Sequence, residues 1–203
     1  GSGFGFFLSA FGKKWDKHGI EISEQVSQNS KKWANIHKID IEKKLQKKFN
    51  DKLKKFDFVF SYHVIEHLAN PEMFIENCYK LLKNNGYLIL GTPNFDSACS
   101  RRFGKNYRFY KDKTHISFFS ENSLYRLLND NGFKILNVDF PYFKTDHFIK
   151  KNLIRLIDKS KISPPFYGNI MTFYCNKKKL KEMRNSLNLK TRKFKKLLNF
   201  REK

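Results

Sequence analysis

Cysteine is rare in this chain. Only Cys78, Cys99 and Cys175 occur, an odd number without metal-ligand spacing, which excludes a disulfide framework and suits free thiols in a reducing cytoplasm. Long apolar runs are missing too, because Lys, Asp or Asn interrupts every stretch before the roughly 20 residues that a membrane-spanning helix needs. The opening Gly1-Ser2-Gly3-Phe4-Gly5 lacks a basic region, an apolar stretch and a small-residue cleavage site, so it does not read as a signal peptide. No internal repeat is found. Acidic residues are scarce, with 19 Asp and Glu against 41 Lys and Arg, a formal net charge of +22. That balance attracts phosphate backbones, anionic membranes and acidic substrates. The excess is mostly Lys and accompanies abundant Asn, Ile and Phe, so codon bias from an A/T-rich genome explains it equally well.

Apolar residues are not lacking. At 40% hydrophobic and 16% aromatic, with 22 Phe, the 203 residues suffice for one domain with an ordinary core. Strand-length apolar blocks alternate with helical patterns, which predicts an α/β fold with a mainly parallel sheet. Strands are expected at His18 to Ser23, Ile36 to Ile41, Phe56 to Ser61, Tyr87 to Pro93, Phe133 to Phe140 and Ile170 to Cys175. The near-continuous apolar run Phe56 to Ser61 suits a strand buried on both faces. Helices are expected from Phe6, from Glu72 to Lys83 ending at Asn84-Asn85-Gly86, from Ser123 to Asn129 behind a Ser120 cap, and over residues 146–158.

Two segments stand apart. Residues 94–114 are polar, aromatic and basic without a clean period and read as a lid or substrate loop, with Phe103, Tyr107, Phe109 and Tyr110 interleaved among Arg102, Lys105, Arg108 and Lys111. Such a loop could hold a flat or sugar-like acceptor carrying phosphate, or simply pack with its cations solvated. Residues 176–203 carry twelve Lys or Arg against Glu182 and Glu202, with apolar residues spaced for an amphipathic helix. This tail reads either as a solvated basic helix or as a peripheral contact with an anionic surface.

The strongest local signal is the glycine-rich opening followed, about twenty residues later, by Glu21 at a strand end. Glycines let the backbone turn tightly and approach a ligand, and a strand-end carboxylate can accept hydrogen bonds from ribose hydroxyls. The later blocks follow in a matching order: Phe56-Asp57-Phe58-Val59 into Val64-Ile65-Glu66-His67-Leu68 and Asn70-Pro71, Leu81 to Gly86 into Gly91-Thr92-Pro93-Asn94, then His115 to Ser120 and Gly132-Phe133. Over residues 1–140 the sequence resembles class I S-adenosylmethionine-dependent methyltransferases, particularly the group that includes ubiquinone-pathway O-methyltransferases and enzymes of surface-polysaccharide clusters.

The resemblance implies a Rossmann-like, doubly wound, mostly parallel sheet of seven strands with an antiparallel last hairpin. It also implies a domain over residues 1–175 whose first strand, with an acidic residue just before the glycines, is missing from the sequence given. It implies S-adenosylmethionine as cofactor, with Gly1, Ser2, Gly3 and Gly5 along the methionine and ribose side, Glu21 on the ribose hydroxyls, Asp40 and Ile41 at the adenine edge, and Ser61 and Tyr62 at the sulfonium end.

Methyl transfer from a sulfonium asks the protein to align the acceptor and remove its proton, and requires no metal. A hydroxyl acceptor is served by His, which makes His67, paired with Glu66, and His115 the candidate catalytic residues. His63 to Leu68 reads as the start of a helix, so His63, Glu66 and His67, at i, i+3 and i+4, fall on one helical face, where the ubiquinone-pathway enzymes use Glu, Glu and His for a divalent cation; local hydrogen bonding is the competing role. The expected activity is O-methylation of a small or carrier-linked acceptor, a surface-polysaccharide sugar leading. The alternatives are an RNA methyltransferase and a catalytically silent basic binding module.

Overall fold

The computed structural model describes residues 1–45 and 52–178, so the expected tail helix lies outside the described residues beyond Lys178. In chain order the first elements are α1 (Phe6–Ser9), β1 (His18–Ile20), α2 (Glu24–Ser30), β2 (Asn35–His37), β3 (Phe56–Tyr62), α3 (Pro71–Leu81) and β4 (Leu82–Pro93). They continue with α4 (Ala98–Phe103), α5 (Glu121–Asp130), β5 (Phe133–Asp139), α6 (Lys150–Arg155) and β6 (Ile170–Lys177). The α/β class is as expected. β1 and β2 form a parallel pair, and a second sheet has the order β3-β4-β6-β5. Within it β3 and β4 are parallel, while β6 runs against both β4 and β5. The expected antiparallel hairpin at the end of the chain is therefore present, and the described residues supply six strands in two sheets rather than one sheet of seven.

The core forms where the central strands meet the helices. Leu88 and Leu90 of β4 and Met171, Phe173 and Cys175 of β6 are fully buried, packed with Ile75 and Cys78 of α3, Leu124 and Leu128 of α5, and Phe133. Period-2 burial in the strands and i, i+3, i+4 burial in the helices are what bring these positions together. Local chemistry fixes the helix starts. The Asn70 side chain accepts from Met73 N with Pro71 in the first turn of α3, and Ser120 and Ser123 form a reciprocal capping box on α5.

The structure corrects several local expectations. α3 ends at Leu81, not at Gly86: β4 begins at Leu82, which pairs with Phe56, and a bulge absorbs the residues before Tyr87. Pairing to β3 thus outweighs the glycine stop signal, and the left-handed residue there is Asn85. β3 is not buried on both faces. It is the edge strand of its sheet among the described residues, and Phe58, Phe60 and Tyr62 are 37–42% exposed toward a cavity that separates it from β1 and β2. The loop after β4 is better ordered than its sequence suggests. α4 and two 3-10 turns bury Phe95, Cys99, Phe103 and Tyr107 as a second core against Leu156 and Phe166.

All three cysteines are buried and free. Burial pushes the Cys78 and Cys175 thiols up to about 12 and raises that of Cys99. No helix among the described residues is long and apolar enough to cross a membrane.

Lys177, at the end of β6, is buried with its Nζ donating to the carbonyls of Tyr79 and Leu82 at 2.7 Å each and lying 4.2 Å from the Tyr79 ring centroid. It closes the C-terminal turn of α3, whose last carbonyls lack helical partners. Lys177→Met keeps the bulk and removes those bonds. Chemical denaturation is expected to show a loss of about 1–3 kcal/mol, the cost of leaving buried acceptors unmade.

Candidate active site

The cavity between the two sheets has a volume of about 400 Å³, within the range of small-molecule sites. One wall is the glycine loop. Ser2 N donates to Ile20 O at 2.7 Å, Gly3 N to Glu21 Oε2 at 3.0 Å, and Ser23 N to Glu21 Oε1 at 3.0 Å. Glu21 therefore binds the loop to the end of β1, and it stands behind the loop rather than among the residues that line the cavity. Gly5 adopts φ +81°, and a Cβ there would sit 2.9 Å from Ser30 Cα, so only glycine lets the loop pack on α2. The following α1 is a single turn, so the cradle is made by loop backbone rather than by a helix end.

Gly1, Ser2 and Gly3 line the cavity, as do Ile41, Ser61 and Tyr62. Gly5 sits beneath the loop instead. Asp40 does not belong to the lining: its carboxylate pairs with Lys43 at 2.9 Å and accepts from Glu42 N, while Ile39 and Ile41 on either side face the cavity. Alternation along extended chain explains this, since neighbouring side chains point to opposite sides.

Two buried hydroxyls in the lining, Ser2 Oγ and Ser61 Oγ, have no hydrogen-bond partner in the protein. Buried polar atoms are normally paired. Both hydroxyls belong to residues of the cavity wall, which is otherwise mostly apolar. The remaining wall, including Phe7, Ile20, Phe58 and Phe60, was not singled out from sequence because Phe is abundant everywhere in the chain.

At its far end β3 leads from Tyr62 into a second cluster. The Tyr62 ring lies over Gly91 of β4, where a Cβ would come within 2.4 Å of it. His63 follows with φ +51°, an uncommon conformation for a residue other than glycine, and a 3-10 turn covers Ile65–His67. The expected α-helical face of His63, Glu66 and His67 does not form.

Glu66 is fully buried. Its Oε1 lies 3.0 Å from His63 Nδ1, its Oε2 accepts from Thr92 Oγ1 at 2.9 Å, and its backbone carbonyl accepts from Ile116 N and Ser117 N. Burial raises the Glu66 carboxyl, but the hydrogen bond with His63, a backbone bond and Thr92 outweigh it, and the net shift is downward. A group whose lone pairs are so engaged holds geometry. Thr92 was missed from sequence, although it stands in the Gly91-Thr92-Pro93-Asn94 block.

His67 and His115, far apart in sequence, meet with ring centroids 4.8 Å apart. His67 Nδ1 lies 3.1 Å from Thr114 O, and His115 Nδ1 lies 2.9 Å from Phe109 O. A carbonyl can only accept, so Nδ1 carries a proton in both rings; His67 Nε2 is then left to present a lone pair, while His115 Nε2 lies 3.6 Å from Asp112 Oδ2. Glu66, His67 and His115 offer ligand atoms within 4.8 Å of one another, a different trio from the one spaced in sequence.

The basic loop is spent largely on structure. Arg101 pairs with Asp96 at 2.7 Å, and Arg102 donates to Leu156 O at 2.9 Å and Ile157 O at 3.3 Å. Arg108 is half-buried, 5.4 Å from the Phe109 ring centroid, and its pKa is lowered by burial and then by Arg155.

An uncharacterized protein of Methanocaldococcus jannaschii is 29% identical over 147 residues, 71% of this chain and 67% of that one. The ubiquinone biosynthesis O-methyltransferase of Bartonella bacilliformis is 29% identical over 128 residues, 57% of this chain; the chain spans about half of that enzyme's length, 52%. Among solved structures, a SAM-dependent methyltransferase of Thermotoga maritima is 26% identical with a TM-score of 0.61, covering 88% of this chain and 79% of that one. Residues 1–138, from the glycine loop through the histidine pair, match a methyltransferase-domain family. The chain belongs to this family of methyltransferase domains, and the family and its solved neighbours imply S-adenosylmethionine as the cofactor.

Proposed function

We propose that the chain methylates a hydroxyl of a small or carrier-linked acceptor, with the His67–His115 pair handling the acceptor's proton. The observation that carries this reading is the contact of the two rings beyond the strand end that borders the cavity, with each Nδ1 fixed by a carbonyl, of Thr114 or Phe109, and His115 Nε2 set 3.6 Å from the Asp112 carboxylate. S-adenosylmethionine supplies an electrophilic methyl group. Against it the protein aligns an acceptor oxygen, one Nε2 takes the hydroxyl proton as the oxygen–carbon bond forms, and the carbon–sulfur bond breaks to leave a neutral thioether. Glu66 acts as a positioning residue, holding His63 and Thr92 beneath the pair. The Bartonella relative is a ubiquinone biosynthesis O-methyltransferase, which supports oxygen as the accepting atom. A sugar of a surface polysaccharide remains the leading acceptor.

Glu66, His67 and His115 also support a second reading, in which a divalent cation aligns the acceptor oxygen. A chelator separates the two. With histidine as base, turnover is insensitive to it; with a cation, chelation abolishes turnover and added Mg²⁺ restores it.

Three outcomes are expected. Calorimetric titration detects binding of S-adenosylmethionine and its demethylated product, and Gly91→Ala, which displaces the Tyr62 ring, weakens it about tenfold or more. His67→Ala and His115→Ala each leave that affinity nearly intact and lower turnover by about 10²-fold with a hydroxyl acceptor. Stability follows from the lowered Glu66 carboxyl. The stabilisation is complete above the ordinary glutamate value, near 4.3, and is lost as pH falls through the lower folded value. The wild-type melting temperature should thus fall more steeply than that of Glu66→Gln between about pH 5 and pH 3, while the variant is less stable at pH 7 by about 1–3 kcal/mol.

A further inference from the structure

Between β5 and β6 the chain exposes a surface that lies outside both the cavity lining and the histidine pair. Phe143, Phe148, Ile149, Leu153, Ile154, Ile157 and Ile162 are all exposed, Ile154 at 56% and Ile157 at 76%. The Phe143 ring contacts those of Phe148 and Tyr167 at 5.3 Å, which makes the aromatic part continuous. Single exposed apolar residues need no explanation, but a cluster of seven on one short segment does.

The backbone beneath is firmly attached. Arg102 binds the carbonyls of Leu156 and Ile157, Asn106 Nδ2 binds those of Lys159 and Ser160 at 3.2 and 3.1 Å, and buried Asn152 Nδ2 binds His147 O at 2.8 Å. Leu156 packs inward on the second core. The segment therefore presents its apolar side chains outward while its inner side is occupied.

The charges around these residues identify the partner. Lys144, Lys150, Lys151, Arg155, Lys159 and Lys161 are exposed among them, against only Asp146 and Asp158. A two-fold contact with a second copy would set this cationic patch against itself. Nucleic acid would match the charge but has no use for protruding Ile and Leu. A bilayer with anionic headgroups satisfies both features: aliphatic and Phe side chains enter the boundary with the acyl chains, and Lys and Arg reach the phosphates.

We propose that residues 143–162 form a docking surface for anionic membrane. Because this segment is tied to the loop that carries Phe109 O, docking would set the histidine pair near the bilayer surface, where a lipid-carried acceptor resides. That orientation rests on the acceptor reading; the docking itself does not.

The test uses the full chain with sedimentable vesicles of phosphatidylcholine alone or mixed with phosphatidylglycerol. Binding is expected to the mixed vesicles and to fall with salt. The triple variant Phe148→Ser, Ile154→Ser, Ile157→Ser should lower partitioning about tenfold or more with an unchanged melting temperature and cofactor affinity. Wild-type partitioning by the variant would overturn the proposal and leave cations elsewhere as the attractor. So would a wild-type dimer that the triple variant turns into a monomer, which would make the patch an interface between copies. As a second measurement, a polarity-sensitive fluorophore on Ile157→Cys should shift to the blue with mixed vesicles; an unshifted spectrum also counts against docking.

Discussion

The buried carboxylate of Glu66 is the point on which the site depends. It joins His63 at the exit of β3 to Thr92 at the end of β4, while its own backbone carbonyl holds the chain at Ile116 and Ser117. Three segments distant in sequence are thereby held at one place. The arrangement is affordable because each acidic lone pair in use meets a donor, so the desolvation cost of a buried charge is offset locally. The two catalytic candidates inherit their positions from it. His67 is the next residue, and His115 directly precedes the backbone amide that Glu66 holds.

Much of this was legible in the sequence, for identifiable reasons. The glycine loop and Glu21 stood out because few backbones need that spacing, and the structure joins them by a hydrogen bond from Gly3 N. His67 and His115 were named from reaction chemistry, whereas their contact depends on a packed loop that no local pattern encodes. The triad His63, Glu66, His67 was misjudged because i, i+3, i+4 spacing was given α-helical geometry, and the chain there is a 3-10 turn entered through a left-handed residue. α2 escaped notice because Glu24-Gln25-Val26-Ser27-Gln28-Asn29-Ser30 has almost no apolar residue to mark a period, although Ser23 caps it. The exposure of β3 was hidden for the opposite reason: an apolar run looks the same whether it faces a helix or a ligand cavity.

The basic residues divide into classes that composition could not separate. Arg101 and Arg102 secure the loop after β4, Lys177 closes α3, and Lys83 pairs with Asp57 at 2.9 Å. Those around α6 have few such partners and surround exposed apolar side chains. A net charge of +22 is therefore several unlike things, and only position distinguishes structural cations from those that face outward.

The burial of the three thiols has a chemical consequence of its own. A thiol pushed up to about 12, as in Cys78 and Cys175, stays protonated at neutral pH, and the thiolate is the form that attacks oxidants and disulfides. Enclosure in the core also keeps reagents away. The fold thus shields its own sulfur, and disulfide exchange at these three cysteines requires the core to open first.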